Sequence, residues 1–314
     1  MNDKVKDAVV EHADEGAFER TREALGGIWA ILRRDKSALV GLSAIFFLVI
    51  VAIAAPLIAP FHPSEQSMLN RFSGPSAQFW LGTDEYGRDI FSRIVHATRP
   101  ALIVGVFSVG VAMLIGVPLG ILAGFYLGWF DRAISWLVDI MLAFPSLLLA
   151  LMVVALLGPG TMTVVIAIAI SQVPLFIRLA RGSTLVVKNA DYVKASRSFG
   201  ARDSRLMIRH ILPNILGPLI IMGTLSIAGA IRDEAALSFL GLGIQPPIPS
   251  WGNMVRDGVN QILQTPWLAV FPGLAVTLSV LAFNMIGDSL RDIFDPRDLA
   301  AQARGRKRAE AKSG

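Results

Sequence analysis

The chain has 314 residues, of which 54% are hydrophobic and 17% charged, with a mean hydropathy of +0.57 and a net charge of +5. So apolar a composition excludes an ordinary soluble domain and points to a polytopic membrane protein whose core is shielded by lipid and partner helices. The absence of cysteine excludes disulfides, thiolate metal sites and cysteine nucleophiles, and His12, His62, His96 and His210 include no pair at helical metal-ligand spacing.

In chain order, residues 1–37 read as an amino-terminal segment of mixed charge in which Phe18, Leu25, Ile28, Trp29 and Leu32 recur at helical intervals, the pattern of an interfacial helix. Arg33, Arg34 and Lys36 precede an apolar run over 38–60, long enough to cross a hydrocarbon core of about 30 Å at about 1.5 Å per residue. Ala52, Ile53 and Ala54 resemble a signal-peptide cleavage site, but the polar stretch before them is too long, so the run is expected to be a retained spanning helix. Further apolar runs at 101–126, 134–157, 161–177, 214–231 and 267–287 predict an all-α membrane protein with six transmembrane helices over 38–290 and a basic tail over 291–314. Gly158, Pro159 and Gly160 mark a tight turn between the third and fourth.

An even number of crossings puts both termini on one side. If that side is the cytoplasm, it holds 7 Lys/Arg in the amino tail, 1 at Arg132, 8 from Arg178 to Arg209 and 7 in the carboxyl tail, 23 of the 29. The positive-inside rule therefore predicts a cytoplasmic loop at 181–213 and external loops at 61–100 and 232–266. Cysteines introduced at Ser73 or Ser250 should be reachable from outside, and ones at Ser204 or Ser313 should not. The basic tail is a topological and lipid-surface signal rather than a nucleic-acid site.

The loop after the first helix contains LGTDEYGRDIFSRIVHATRP. Gly82, Thr83, Asp84 and Gly87 read as a turn, followed by a short surface helix with Ile90, Phe91, Ile94 and Val95 on one face and Asp89 paired with Arg93 at i, i+4. In the second span Gly116, Gly120 and Gly124 form a small-xxx-small face, with helix packing inside the subunit as its expected role, and Pro118 adds a bend. Charged and amide side chains in or near the spans are Asp139, Gln172, Asp233, Glu234, Asn284 and Asp288; Asp139, Asn284 and Asp288 are expected near the cytoplasmic ends, solvated or paired with Arg132 or Arg291.

Residues 191–214, DYVKASRSFGARDSRLMIRHILPN, interrupt two spanning runs with helix chemistry. Asn189 or Asp191 is expected to cap a helix whose Val193, Ala195, Ser196 and Phe199 share a packing surface. Gly200 stops it, and a second helix starts near Asp203 and runs to Pro213. This helix, glycine break, helix pattern resembles the "EAA" loop of permease subunits of ATP-binding-cassette importers. The triplet here is Lys194, Ala195, Ser196, with Gly200 four residues later and Ile211, Leu212, Pro213 at the end; a lysine stands where the family has an acid, and Arg202 where it often has a small capping hydroxyl.

Two further strings resemble one of the two permeases of dipeptide, oligopeptide and nickel importers. Leu81, Gly82, Thr83, Asp84, Gly87, Arg88, Asp89, Ser92 and Arg93 match its LGTDxxGRDxxSR signature. Glu234, Ala235, Leu237 to Gly243, Pro247, Pro249, Ser250, Trp251 and Gly252 match its EAxLSFLGLG...PxPSWG signature.

The resemblance implies a multi-pass bacterial inner-membrane permease with a homologous second permease, two cytoplasmic ATPases and an external substrate-binding protein as partners. It implies that ATP and Mg act on the ATPases, with no cofactor in this chain, and that Asp191, Tyr192, Lys194, Ala195, Ser196, Phe199, Gly200 and Arg205 form the coupling loop. Gly82, Thr83, Asp84, Gly87, Arg88, Asp89, Arg93, Glu234 and Trp251 are the external signature, whose charges are expected to fold and orient the segment rather than touch substrate. Specificity is expected to lie in the binding protein, with peptide favoured over nickel.

None of the seven lysines follows a glycine, so there is no Gly-Lys-Ser/Thr phosphate loop, and no HExxH or GxSxG is present. A secondary transporter, which would couple an ion gradient through intramembrane charges or broken helices, is the alternative of another class. An intramembrane enzyme would need a convergent nucleophile and base, and the sequence offers none.

Overall fold

The computed structural model describes residues 35–294. The expected amino-terminal interfacial helix and most of the basic tail lie outside them. The described chain is helical, with no strand beyond one bridge between Thr83 and Asp89. We number the helices α1 (Lys36–Ile58), α2 (Ile90–Tyr126), α3 (Gly128–Ala143), α4 (Ser146–Leu157), α5 (Thr161–Lys188), α6 (Asp191–Ser198), α7 (Asp203–Phe239), α8 (Trp251–Asn260) and α9 (Trp267–Phe294).

Five of these, α1, α2, α5, α7 and α9, are long and apolar enough to cross a membrane unbroken. The third expected span, 134–157, is instead the pair α3 and α4, bent by 93°. The cause is Pro145: it forces Phe144 into an extended conformation (φ −94°, ψ 138°) and cannot itself supply a helical N–H. Apolar composition does not register such a break, because both arms are equally greasy.

The short surface helix expected after Gly87 is the start of α2, which runs unbroken for 37 residues. At about 1.5 Å per residue it is much longer than a bilayer core is thick, so its first turns stand clear of the hydrocarbon. Pro213 likewise does not end a helix. The backbone widens into a π-helical turn over Leu206–Ile211, with the Leu212 amide donating to the Met207 carbonyl, and α7 continues through the proline. A local π turn is a known way to absorb such a mismatch within a helix.

Lipid tails are as apolar as leucine, so close approach rather than water exclusion must hold these helices together. The glycine face of α2 provides it, as the sequence predicts. A Cβ at Gly116 would lie 2.7 Å from the Phe176 Cβ, at Gly120 2.5 Å from the Ile177 carbonyl, and at Gly124 2.8 Å from the Arg181 carbonyl. Helices α2 and α5 accordingly make the most extensive pair among the described residues. Around them Val104, Ala112, Val154, Ile168, Phe176 and Leu219 form a buried core from α2, α4, α5 and α7.

At the periphery, α1 leans on α9, where a Cβ at Gly41 would meet the Ala282 carbonyl and Ile286 at 3.0 Å. Asp35 caps α1 by accepting the Ser37 amide at 2.9 Å. The Ser289 hydroxyl, with the Ser37 and Ala38 amides, holds its carboxyl below the usual carboxylate range.

Candidate functional site

The expected break at 191–214 is present. Helix α6 ends with Gly200 at φ +84°, the Ala201 amide donating to the Ser196 carbonyl and the Gly200 amide to the Arg197 carbonyl. This is a glycine-terminated Schellman end, which closes the last orphan carbonyls and turns the chain into α7. The start differs from expectation. Ala190 takes the capping position without a side-chain bond, Asp191 falls in the first turn, and the Asn189 side chain donates back to the Leu185 carbonyl.

The expected shared packing surface shrinks to Val193, which is buried, and half-buried Ser196. Ser196 lies 3.3 Å from His210 and the Tyr192 ring 6.4 Å from it, fastening α6 to the π turn. Partial burial pushes the Tyr192 phenol above its ordinary value. Asp191, Tyr192, Lys194, Ala195 and Phe199 face outward, Phe199 at 72% exposure, while Arg205 sits half-buried in the first turn of α7. Below this end Phe125 is buried under two cations, Lys188 at 5.3 Å and Arg197 at 5.8 Å from its ring, and Lys188 also donates to the Phe125 carbonyl. The corner is thus held to α2 and α5 from beneath and bare on its outer face.

At the opposite end the two signature strings interlock. Gly82 (φ +81°) and Gly87 (φ +70°) form the turn, and a Cβ at Gly87 would collide with the Ser67 carbonyl at 1.9 Å. Thr83 donates to the Asn70 carbonyl and accepts the Ser73 amide at 2.9 Å. Asp84 is the hub: it accepts the Tyr86 and Arg88 amides at 2.9 Å and the Arg88 guanidinium at 2.6 Å.

The expected Asp89–Arg93 pair does not form. Asp89 caps α2 by accepting the Ser92 amide and hydroxyl at 2.7 and 2.6 Å, and Arg93 turns to Asp84 at 3.5 Å. The capping bond is available to an acid one residue before a helix, and it wins over a pairing between side chains on successive turns.

Glu234, buried, accepts the Ser238 and Ser250 hydroxyls at 2.7 and 2.9 Å, while the Trp251 indole donates to the Ile94 carbonyl at 3.1 Å. These bonds tie α7, α8 and α2 together, so Ser250 is 1% exposed and is no labelling position. Asp84 is buried, and taking it away strands two guanidiniums beside it. We expect Asp84→Ala to lose about 3 kcal/mol or more, read as a much shorter thermal half-life in detergent, whereas Asp139→Ala, in an exposed pair, should leave that half-life near wild type.

Comparison with known proteins fits this geometry. Residues 116–298 match the family described as the binding-protein-dependent transport system inner membrane component. The chain belongs to that family. Residues 25–75 also match the N-terminal TM domain of oligopeptide transport permease C.

Among relatives of this inner-membrane component, the dipeptide transport system permease protein DppC of Alkalihalophilus pseudofirmus is 47% identical over 266 residues, 85% of this chain and 88% of that one. The di/tripeptide permease DppC of Pseudomonas aeruginosa is 47% identical over 275 residues, 86% and 91%. The glutathione permease GsiD of Pectobacterium atrosepticum is 46% identical over 269 residues, 85% and 88%. In fold, the chain is similar to a subunit of the inward-facing MetNI methionine ABC transporter, with a TM-score of 0.55 at 17% identity over 65% of this chain and 97% of that one.

The permease carries one charged device that sequence reasoning missed. Asp131, in the first turn of α3, is bound by the Arg181 guanidinium through two bonds, the second at 2.7 Å, and Asp139 pairs with Arg178 at 2.5 Å rather than with Arg132. Arg132 donates to its own Gly128 carbonyl at 3.3 Å, and Asp288 is exposed. The signal was available in the spacing: arginines at 178 and 181 share one helical face of α5, and acids at 131 and 139 share one of α3.

Proposed function

We propose that this chain is the permease subunit of an ATP-driven importer of di- or oligopeptides. In this reading it forms the translocation pathway with a second, homologous permease, takes its energy from two cytoplasmic ATPases that hold ATP and Mg, and receives substrate from an external binding protein. The observation that carries it is the family match over 116–298 together with relatives named for dipeptide, di/tripeptide and glutathione transport along most of the chain.

The outward face of α6 is the surface the ATPases would grip. Closure of the ATPases on ATP would push on α6, and the contacts of Arg197 and Lys188 with Phe125 and of Ser196 and Tyr192 with His210 would carry the displacement into α2, α5 and α7. The ATPases would do the hydrolysis.

The test is purification of the complex followed by uptake in vesicles. Stoichiometric ATPases and ATP-dependent uptake of a dipeptide such as Ala-Ala are expected. Ion-driven uptake by this chain alone would establish a secondary carrier instead, and uptake of nickel with none of the dipeptide, Mg-ATP being present in both assays, would overturn the peptide assignment.

Orientation has its own test in this cysteine-free chain. With both termini cytoplasmic, Leu69→Cys, at a position 99% exposed, should react with an impermeant thiol reagent added to intact cells, and Ser204→Cys should not. Labelling of Ser204→Cys from outside would invert the topology.

A further inference from the structure

Where the two signature strings meet, a cavity of about 240 Å³ opens to the outside, with Arg93 at its floor and Arg88 and Arg256 in its walls. Arg93 is 6% exposed. Its Nε has no hydrogen-bond acceptor and its Nη1 makes one long bond, 3.3 Å, to the Pro63 carbonyl.

The carboxylate that ought to satisfy it is already engaged. Asp84 spends Oδ1 on two backbone amides and Oδ2 on Arg88, so Arg93 is left at 3.5 Å, outside good hydrogen-bond range. Asp84 balances the charge of Arg93 without giving it a well-formed hydrogen bond, which leaves this buried guanidinium with donor capacity to spare. Arg256 is placed with similar care: its Nη1 lies 2.9 Å from where a Cβ at Gly241 would be, so a glycine there leaves room for it.

We propose that this cavity is a carboxylate-binding site, with Arg93 and Arg256 as its principal donors and Arg88 beside them. The planar fork of a guanidinium matches a carboxylate in two parallel bonds. Glu85 and Asp257 also line the cavity, Asp257 accepting the Arg256 Nε at 3.3 Å, and with Asp84 behind them the acids offset the arginines, so it is the fork geometry rather than an excess of positive charge that favours a carboxylate over a more highly charged anion. Two sources present such a group at an outer face: the carboxyl terminus of a small peptide, and an acidic side chain of the binding protein. The peptide source rests on the importer function proposed above.

Ile248 lines the same cavity at 47% exposure, which gives a reporter. In the assembled complex in vesicles, the alkylation rate of Ile248→Cys is measured alone, with Ala-Ala, with the C-terminal amide of Ala-Ala, and with the purified, peptide-free binding protein. Protection by Ala-Ala and not by its amide is expected if the peptide terminus is the source, and protection by the binding protein alone if an acidic side chain is.

In either case Arg256→Gln, whose side chain is 38% exposed and peripheral to the fold, should weaken protection about tenfold, as loss of one charge-assisted bond would. Absence of protection by every probe, or protection unchanged in Arg256→Gln and in Arg88→Gln, overturns the proposal. ATP-driven uptake is recorded in parallel vesicles that hold the wild-type complex. A wild-type complex that fails to take up peptide sinks the importer function while leaving the protection result interpretable.

Discussion

Gly200→Val is expected to abolish ATP-driven uptake while leaving a complex that still inserts and pairs. The residue sits at φ +84°, and no atom lies within 4 Å of where its Cβ would be. Crowding therefore plays no part, and the whole penalty is conformational, about 1–2 kcal/mol for an ordinary residue in the left-handed region and more for a β-branched one. That strain is relieved by swinging α6 away from α7, which moves the outward face carrying Tyr192, Ala195 and Phe199. Gly200→Asn, which tolerates the left-handed region, should keep most of the activity.

Ala195→Asp tests the same face from the other side. Ala195 is exposed in the chain, so a carboxylate there costs the fold only about 0.7 kcal/mol of helix propensity; it costs about 3 kcal/mol or more, near a hundredfold in affinity, only if a partner covers it. The measurements are co-purification of the ATPases and stimulation of hydrolysis by the loaded binding protein. Wild-type uptake and stimulation in both Gly200→Val and Ala195→Asp would remove this loop from the coupling step.

How much of this was legible in the residues depends on the kind of interaction. Gly200 and the glycine row at 116, 120 and 124 were readable, because a left-handed helix end and a close helix approach each demand the one residue without a Cβ. The Pro145 break was not, since hydropathy sums over 134–157 without sensing that Phe144 lies extended. Pairings of charge were read least well. The i, i+4 rule joins Asp89 to Arg93 and nearness in the chain joins Asp139 to Arg132, yet each acid found a partner that the helix start or the α3–α5 packing brought closer. Of the two signature strings, spacing gave the residues and the structure gave their division of labour: Asp84 and Glu234 are hubs for neighbouring donors, while Arg93 is a donor short of an acceptor.

The second large effect is expected at Gly120. A Cβ there would lie 2.5 Å from the Ile177 carbonyl, 2.7 Å from the Ala180 Cβ and 3.0 Å from the Arg181 amide, all on or at the backbone of α5 and none at the end of a flexible side chain. Gly120→Leu must therefore push α2 and α5 apart along the contact that organises the bundle. Over-packing alone costs about 1–3 kcal/mol. The separation also pulls Arg181 off Asp131 and Lys188 off Phe125, so the loss extends to the corner under α6.

In lipid there is no compensating hydrophobic drive to reclose the gap, because the newly bared surfaces are solvated by acyl chains as well as by each other. Gly110, on the same helix, is exposed and has nothing within 4 Å of a Cβ. Gly110→Leu should be neutral, or stabilising by up to about 1 kcal/mol through helix propensity. Size-exclusion profiles of the two variants in mild detergent decide the matter: an aggregated or absent Gly120→Leu peak beside a wild-type Gly110→Leu peak is expected, and matching monodisperse peaks would show that the α2–α5 seam is not what holds the subunit together.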